Sequence, residues 1–363
     1  MNQGLKNIFI LIGLALLAYF LWYIREIIAY VAIAVVVALI CRPLVNLIKQ
    51  AKIGNWSVPS SLAAIVSLVV FLGVIIGIVL AFVPMVAAQM KELSSIEVKQ
   101  IITALEQPLN DFSQFLARYQ INPESLKIDE LKQKMATYIN PNTLSQVFSG
   151  VSGWFSNLFV GGFAIIFIAF FMLKEANLIN RMILGATPDK YIEEAKEVMG
   201  TSKKLLSRYF IGLMVQVAVF TGLITLGMSL LGMKNALLIG FFAGLVNLIP
   251  YLGPFIGAAF ALAISVSSNL DLDFYSELSP KLVLVVVIFA VTQMIDNFVA
   301  HPLIFSKSVK MHPLEVFLVV LIAGTVAGIP GMVLAIPFYT LFRVIAKEFL
   351  GTFKIVKSLT KDI

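Results

Sequence analysis

The stretch Gln293-Met-Ile-Asp-Asn-Phe-Val-Ala-His-Pro302 brings a carboxylate, two amides and an imidazole to the end of an apolar run that begins at Lys281. At 3.6 residues per turn, Gln293, Asp296, Asn297 and Ala300 fall on one helical face, so Asp296 has carboxamides within a turn of it. A carboxylate flanked by neutral amides is a donor set for a cation or a polar ligand. Holding an acid in hydrocarbon costs about 2.5–3.5 kcal/mol even on translocon-derived scales, which makes it a functional candidate. Between low-dielectric walls a carboxyl takes a proton or a cation as company, so exchange of one for the other, or for substrate, is chemistry open to Asp296. The competing reading is structural: Asp296 sits near the end of its run and can bond the following loop or pair with Lys307 or Arg343. Asn247, Tyr251 and Gln216 add uncharged hydrogen-bonding groups that suit a small polyhydroxylated ligand, or else satisfy carbonyls freed at helix breaks. His301, directly before Pro302, reads as a loop residue ahead of a proton relay. His312-Pro313 reads as a helix start, with Glu315 in a first turn where the dipole favours an acid.

The elements that must position these groups follow from composition. Of 363 residues, 60% are apolar and 13% charged, whereas soluble chains carry roughly a quarter charged residues. The chain is therefore expected to be a multi-span membrane protein. Its net charge of +7 is scattered between apolar runs, which reads as a set of topology signals and argues against nucleic acid as a partner. One cysteine, Cys41, excludes an internal disulfide framework, and two histidines without clustered partners argue against a structural metal. No cofactor is expected. The run from Ile8 to Tyr23 lacks a small-residue cleavage pattern and is read as a retained span.

Apolar segments occupy about 6–24, 27–41, 58–83, 153–173, 206–232, 235–269, 282–300 and 313–349. The sixth and eighth exceed one span, and helix breakers interrupt both: Asn247-Leu-Ile-Pro-Tyr-Leu-Gly-Pro254, containing Pro250, Gly253 and Pro254, and Gly324–Gly331, containing Gly328, Pro330 and Gly331. Halves of about 15 residues reach roughly 22 Å, against a hydrocarbon core near 30 Å. Each segment is therefore expected to be a re-entrant or broken helical hairpin. Basic residues in 174–208, 301–312 and the tail from Arg343, against Asp271, Asp273 and Glu277 in 270–280, put both termini and the basic loops in the cytoplasm. A span and a hairpin then recur upside down, the inverted repeat of many secondary transporters.

The fold expected is thus all-α and polytopic, with about six full spans, two hairpins in inverted repeat and a small extracytoplasmic helical insert. Residues 1–83 form scaffold spans, 84–152 the insert, 153–205 a span with a cytoplasmic interfacial helix, 206–349 the transport core and 350–363 a cytoplasmic tail. The insert has helix starts at Ser94-Ser-Ile-Glu97, Asn122-Pro123 and Asn140-Pro141. The interfacial helix begins at Thr187-Pro-Asp-Lys190 and meets the span near Leu206, its basic residues near anionic headgroups. The Gly161-Gly162 pair and the glycines of 222–232 lack the Lys-Ser/Thr of a phosphate loop, and nucleophile elbows, metalloprotease helices and paired catalytic acids are absent from the sequence. These absences argue against an enzyme and leave gradients, or passive flow, to drive movement.

Five motifs in order, Tyr209-Phe-Ile-Gly212 with Gln216, Asn247–Pro254, Gln293–Asn297 leading to Pro302, His312-Pro-Leu314, and Gly328-Ile-Pro-Gly331 through Pro337, resemble the autoinducer-2 exporter family of bacterial membrane permeases. The resemblance covers roughly 150–350 and implies a transporter of the inner membrane, assembled as a homo-oligomer. It implies efflux of a quorum-sensing furanone, or exchange of sodium or lithium for protons, with Asp296 as the coupling residue. The leading expectation is a secondary transporter exporting a small polar metabolite of the autoinducer-2 type. The alternatives are a sodium/proton antiporter, in which Asp296 holds the ion, and a non-transporting scaffold that gathers partners through its insert.

Overall fold

A computed structural model describes residues 3–50, 58–95, 161–175, 177–269, 272–300 and 311–351, with isolated positions at 111, 114, 118, 353, 356 and 360. The insert starts at Glu97, Asn122 and Asn140, and His301, Pro302 and Lys307, lie outside the described residues. The described elements are helical: α1 (Gln3–Tyr23), α2 (Arg25–Gln50), α3 (Ser60–Ser95), α4 (Gly161–Lys174), α5 (Leu178–Ala186), α6 (Ile192–Leu230), α7 (Ala236–Val246), α8 (Leu252–Ser267), α9 (Ser279–Ile295) and α10 (Pro313–Leu350). Among them five are long and apolar enough to cross a membrane, or six if α4 and α5 count as one bent span. The chain is an all-α polytopic membrane protein.

Contacts divide it into two units, residues 1–74 with 153–192 and residues 75–152 with 193–363. In the first, Ala34, Val37, Ala38, Cys41 and Val45 of α2 form a core with Ala63, Ala64 and Leu68 of α3 and Ile165, Ala169, Met172 and Leu173 of α4. Small residues at helical spacing let these backbones approach, as dispersion packing in lipid requires. The axis bends by 84° between α4 and α5.

Two boundaries differ from the sequence expectation. The run 58–83 predicts an end near Pro84, yet α3 continues to Ser95. Pro84 forfeits one backbone bond, but Met85–Leu93 is rich in strong helix formers. In the second unit this extension is anchored by Gln89, whose Oε1 accepts from Asn235 Nδ2, and just ahead of it Phe82 stacks on Phe241 with ring centroids 3.5 Å apart. Likewise, the charged segment expected as a separate interfacial helix is the first half of α6, a single 39-residue helix led by a 3₁₀ turn at Asp189–Tyr191. No proline interrupts 192–230, so the change from charged to apolar residues alters the helix's surroundings without breaking its backbone.

The second unit repeats a long helix followed by a hairpin: α6 then α7 and α8, α9 then α10. Its core joins Phe220, Ile224 and Met228 of α6 to Ile239 and Ala243 of α7, Ala261 and Ile264 of α8, and Val285 and Phe289 of α9. Helices α7 and α8 pair antiparallel, with the Phe242 and Phe260 ring centroids 4.0 Å apart. Their 11 and 16 residues reach only about 16 and 24 Å. α10 is a hairpin too, although its helical pattern is nearly continuous. Val320 and Ala335 would lie about 22 Å apart along a straight helix, yet they share one cluster. The fold-back occurs at Ala327 and Gly328, whose φ/ψ of 61°/−146° is open to glycine.

Candidate functional site

The hairpin tips are shaped by their breakers, though not every breaker lies in the turn. In the first, α7 ends at Val246 and the turn covers Asn247–Tyr251, so Pro250 is in the turn while Gly253 and Pro254 already belong to the first turn of α8. Proline is accepted there because its missing N–H has no helical partner. Gly253 allows contact between the legs: a Cβ on it would stand 2.3 Å from Val246 O and 2.6 Å from Asn247 Cα. In the second hairpin Gly328 is in the fold-back, while Pro330 and Gly331 start the return leg. A Cβ on Gly331 would meet Ala323 O at 2.2 Å.

Tyr251 is the backbone exception. Its φ of 64° with ψ of −43° closes a γ-turn, in which Leu252 N–H donates to Pro250 O at 2.8 Å. This positive-φ form is rare and strained for a side-chain-bearing residue, by about 1–3 kcal/mol. The ring reaches the second hairpin: Tyr251 Oη donates to Pro313 O at 3.3 Å and meets Phe317 edge-on at 6.2 Å. Ile249 from the same tip packs with Val320 and Ala335. α10 is started by His312, whose Nδ1 accepts from Leu314 N–H at 3.2 Å, with Glu315 in the first turn, as its sequence suggests.

Between the hairpins, α6 and α9 lies a cavity of about 830 Å³, within the 300–1,000 Å³ usual for small-molecule sites. All six candidate ligand-binding residues line it: Gln216 from α6, Asn247 and Tyr251 from the first tip, and Gln293, Asp296 and Asn297 from the end of α9. Asp296 is 5% exposed and Gln216 6%. Gln216 Nε2 donates to both carboxylate oxygens, at 3.1 Å to Oδ1 and 2.8 Å to Oδ2. Charged acceptors make such bonds stronger than neutral ones.

The amides that share a sequence face with Asp296 behave differently from the expectation. Gln293 Nε2 donates to Asn297 Oδ1 at 3.0 Å, so the two amides bind each other, and Asn297 is exposed. The α-helical spacing ends at Ile295, where Asp296–Ala300 continues as a π-turn. Such wider turns recur at functional sites. Two atoms in the cavity-lining set are buried without a hydrogen-bond partner among the described residues, Asn247 Nδ2 and Gln293 Oε1. Sequence reasoning missed Tyr209 and Met311, which also line the cavity. Tyr209 was findable, lying seven residues before Gln216 on one face of α6.

The cavity is thus walled by both hairpins, with one buried acid and two amide side chains that each keep an unmet atom among the described residues. A family model described as AI-2E family transporter matches residues 8–351. The chain belongs to the AI-2E transporter family. It is 25% identical over 344 residues to YueF of Bacillus subtilis, a proposed transport protein, covering 93% of this chain and 87% of YueF. It is 23% identical over 357 residues to the AI-2 transport protein TqsA of Escherichia coli, covering 96% and 94%. YrrI of Bacillus subtilis, also a proposed transport protein, is 28% identical over 225 residues, covering 62% and 60%. These AI-2E relatives carry the names of transport proteins and not of enzymes. In this AI-2E chain the cavity lies wholly within the second unit.

Proposed function

We propose that this AI-2E family member is a secondary transporter that moves a small polar solute through the cavity between its hairpins, with Asp296 coupling movement to a proton or another cation. One observation carries the reading: a buried carboxylate, held by Gln216, stands at the wall of a cavity that both hairpins line. A secondary transporter places its site between discontinuous helices near the midplane, and α7 and α8 are too short to span. On this reading the hairpins enter from opposite leaflets of a bacterial inner membrane, both termini lie in the cytoplasm, and the protein works as a homo-oligomer. The distribution of basic loops supports that orientation. Export of an autoinducer-2-type signal is the cargo reading, supported by the name of TqsA.

A second reading, sodium/proton antiport, is favoured by a separate feature. Asp296 is the only carboxylate, and the only Asp, Glu, Lys, Arg or His, among the described lining residues, which makes it a single ion-exchange point. Everted vesicles separate the two. Uptake of the furanone without a sodium response supports the exporter, and sodium-induced collapse of an acid-inside gradient supports the antiporter. Under either reading, Asp296→Asn is expected to reduce coupled flux of the reconstituted protein by tenfold or more, because the replacement amide still accepts from Gln216 but carries no charge. Flux at the wild-type rate would refute the coupling role.

A further inference from the structure

The nine-residue helix α5 takes no part in the cavity or in the cores described above. Its sequence has two sides. At 3.6 residues per turn, Ile179, Met182, Ile183 and Ala186 gather on one, and Asn180, Arg181 and Gly185 on the other. The apolar side is bare: Ile179 is 37% exposed, Ile183 42% and Met182 67%. Nine residues do not hold a helix alone in water, where about 12–15 are needed. An apolar surrounding must therefore cover that side.

Three observations identify it. First, α4 crosses without help from α5: the uncharged run 153–173 has about the 20 residues of a span, and Lys174 follows at once. Lys174 Nζ lies 5.6 Å from the Phe171 ring centroid and 6.0 Å from that of Phe170. A long cation so placed keeps its stem in hydrocarbon and its head at the boundary. Second, the axis turns by 84° after α4. α5 is about 13.5 Å long, so it advances only about 1.4 Å along the α4 axis. With α4 tilted by the usual 20° or so, the far end of α5 leaves the membrane plane by at most about 6 Å. Interfacial helices lie about 5–10 Å deep. Third, the opposite side suits headgroups: Arg181 Nη2 pairs with Glu175 Oε2 at 3.1 Å across the bend. The Asn177 side chain does not cap the first N–H groups of α5, which therefore need water or headgroup oxygen.

We propose that α5 lies in the plane of the bilayer, with Ile179, Met182 and Ile183 among the acyl chains and Arg181 towards water. Its partner is the phospholipid surface, that of the cytoplasmic leaflet on the orientation proposed above. A second copy of the chain fits less well, since one side of nine residues is small beside the about 800 Å² per partner of a stable interface. α4 and α5 are then a span and a surface helix, not one bent span. The interfacial element is α5, and not the charged segment that continues into α6. Nothing here depends on the transport reading.

The test uses the full-length protein, with Cys41, its only cysteine, replaced by serine, in nanodiscs of phosphatidylcholine and phosphatidylglycerol. A nitroxide is attached in turn to Ile179→Cys, Asn180→Cys, Met182→Cys, Ile183→Cys and Gly185→Cys. Its collisions with oxygen and with a water-soluble nickel chelate are measured. The ratio of oxygen to nickel collisions is expected to be several-fold higher at the three apolar positions than at the other two. A ratio favouring nickel at all five places α5 in water, and one favouring oxygen at all five makes it part of a crossing span. Low access of both reagents at the apolar positions puts protein over them. Each of these three results overturns the proposal. A second readout needs no substitution in α5: in the unmodified protein, a phospholipid with a diazirine near its carbonyl carbon should label Ile179, Met182 and Ile183 and spare Asn180 and Gly185. Equal labelling of both sides, or of neither, overturns the proposal as well.

Discussion

Gly253→Ala isolates the close approach of the two legs of the first hairpin. The added Cβ would stand 2.3 Å from Val246 O, where ordinary contact begins at 3.4 Å, so the carbonyl must retreat by 1.1 Å. Its other near neighbours, Asn247 Cα at 2.6 Å and Val246 C at 2.8 Å, are backbone as well, and no rotamer change relieves the clash. Overpacking costs about 1–3 kcal/mol, and a clash with backbone alone belongs at the upper end, a loss of about 100-fold in the folding equilibrium. Gly222→Ala is the control: it lies within α6 with nothing inside 4 Å of a new Cβ, and should be neutral or stabilising by up to about 1 kcal/mol. Denaturant unfolding in detergent, followed by helicity, gives both midpoints. If Gly253→Ala unfolds no earlier than wild type, or if both variants move the same way, close packing of the legs does not hold the site in place.

Other outcomes follow from single contacts. Tyr251→Ala and Tyr251→Gly both lose the ring, but only glycine accepts the positive φ freely. The glycine variant should therefore be more stable by about 1–2 kcal/mol in the same unfolding assay. Gln216→Leu removes both N–H bonds to Asp296 while nearly keeping volume, and should cost about 1.5–3 kcal/mol at neutral pH. A double-mutant cycle with Asp296→Asn should return a coupling energy above 0.5 kcal/mol, and additivity would dismiss the pairing. Asp273 precedes the turn into α9, where its Oδ1 accepts from Ser276 N–H at 2.9 Å, Ser276 Oγ at 2.8 Å and Tyr275 N–H at 3.1 Å. The Ser276 backbone bond, then its hydroxyl, hold this carboxyl below the ordinary carboxylate range. Its cap is therefore fully present above the unfolded-state value and is lost as pH falls through the lower folded value. Amide exchange at Tyr275 and Ser276 should accelerate only in that acid window, and Asp273→Asn should remove the dependence.

What the sequence made legible, and what it did not, follows from the range of each interaction. The breakers at Pro250 and Gly328 act on their own backbone, so short stretches were enough to locate both hairpins. The same local rules failed at Pro84, because neighbouring helix formers outweighed one lost bond, and at 192–230, because a change of polarity is not a change of backbone. At the site, 3.6-residue periodicity put Gln293 and Asn297 beside Asp296, and both do line the cavity with it. Yet the donor that meets the acid is Gln216, 80 residues away. Nothing in a single chain's spacing announces that pairing, since it depends on how α6 packs against α9. The amides local to Asp296 engage each other, and one of them keeps an acceptor to spare. The acid is thus held by a distant element while the amides local to it are engaged with each other. Under the function proposed above that separation has a use, because a residue that exchanges a proton or cation must keep its place whatever its neighbours bind.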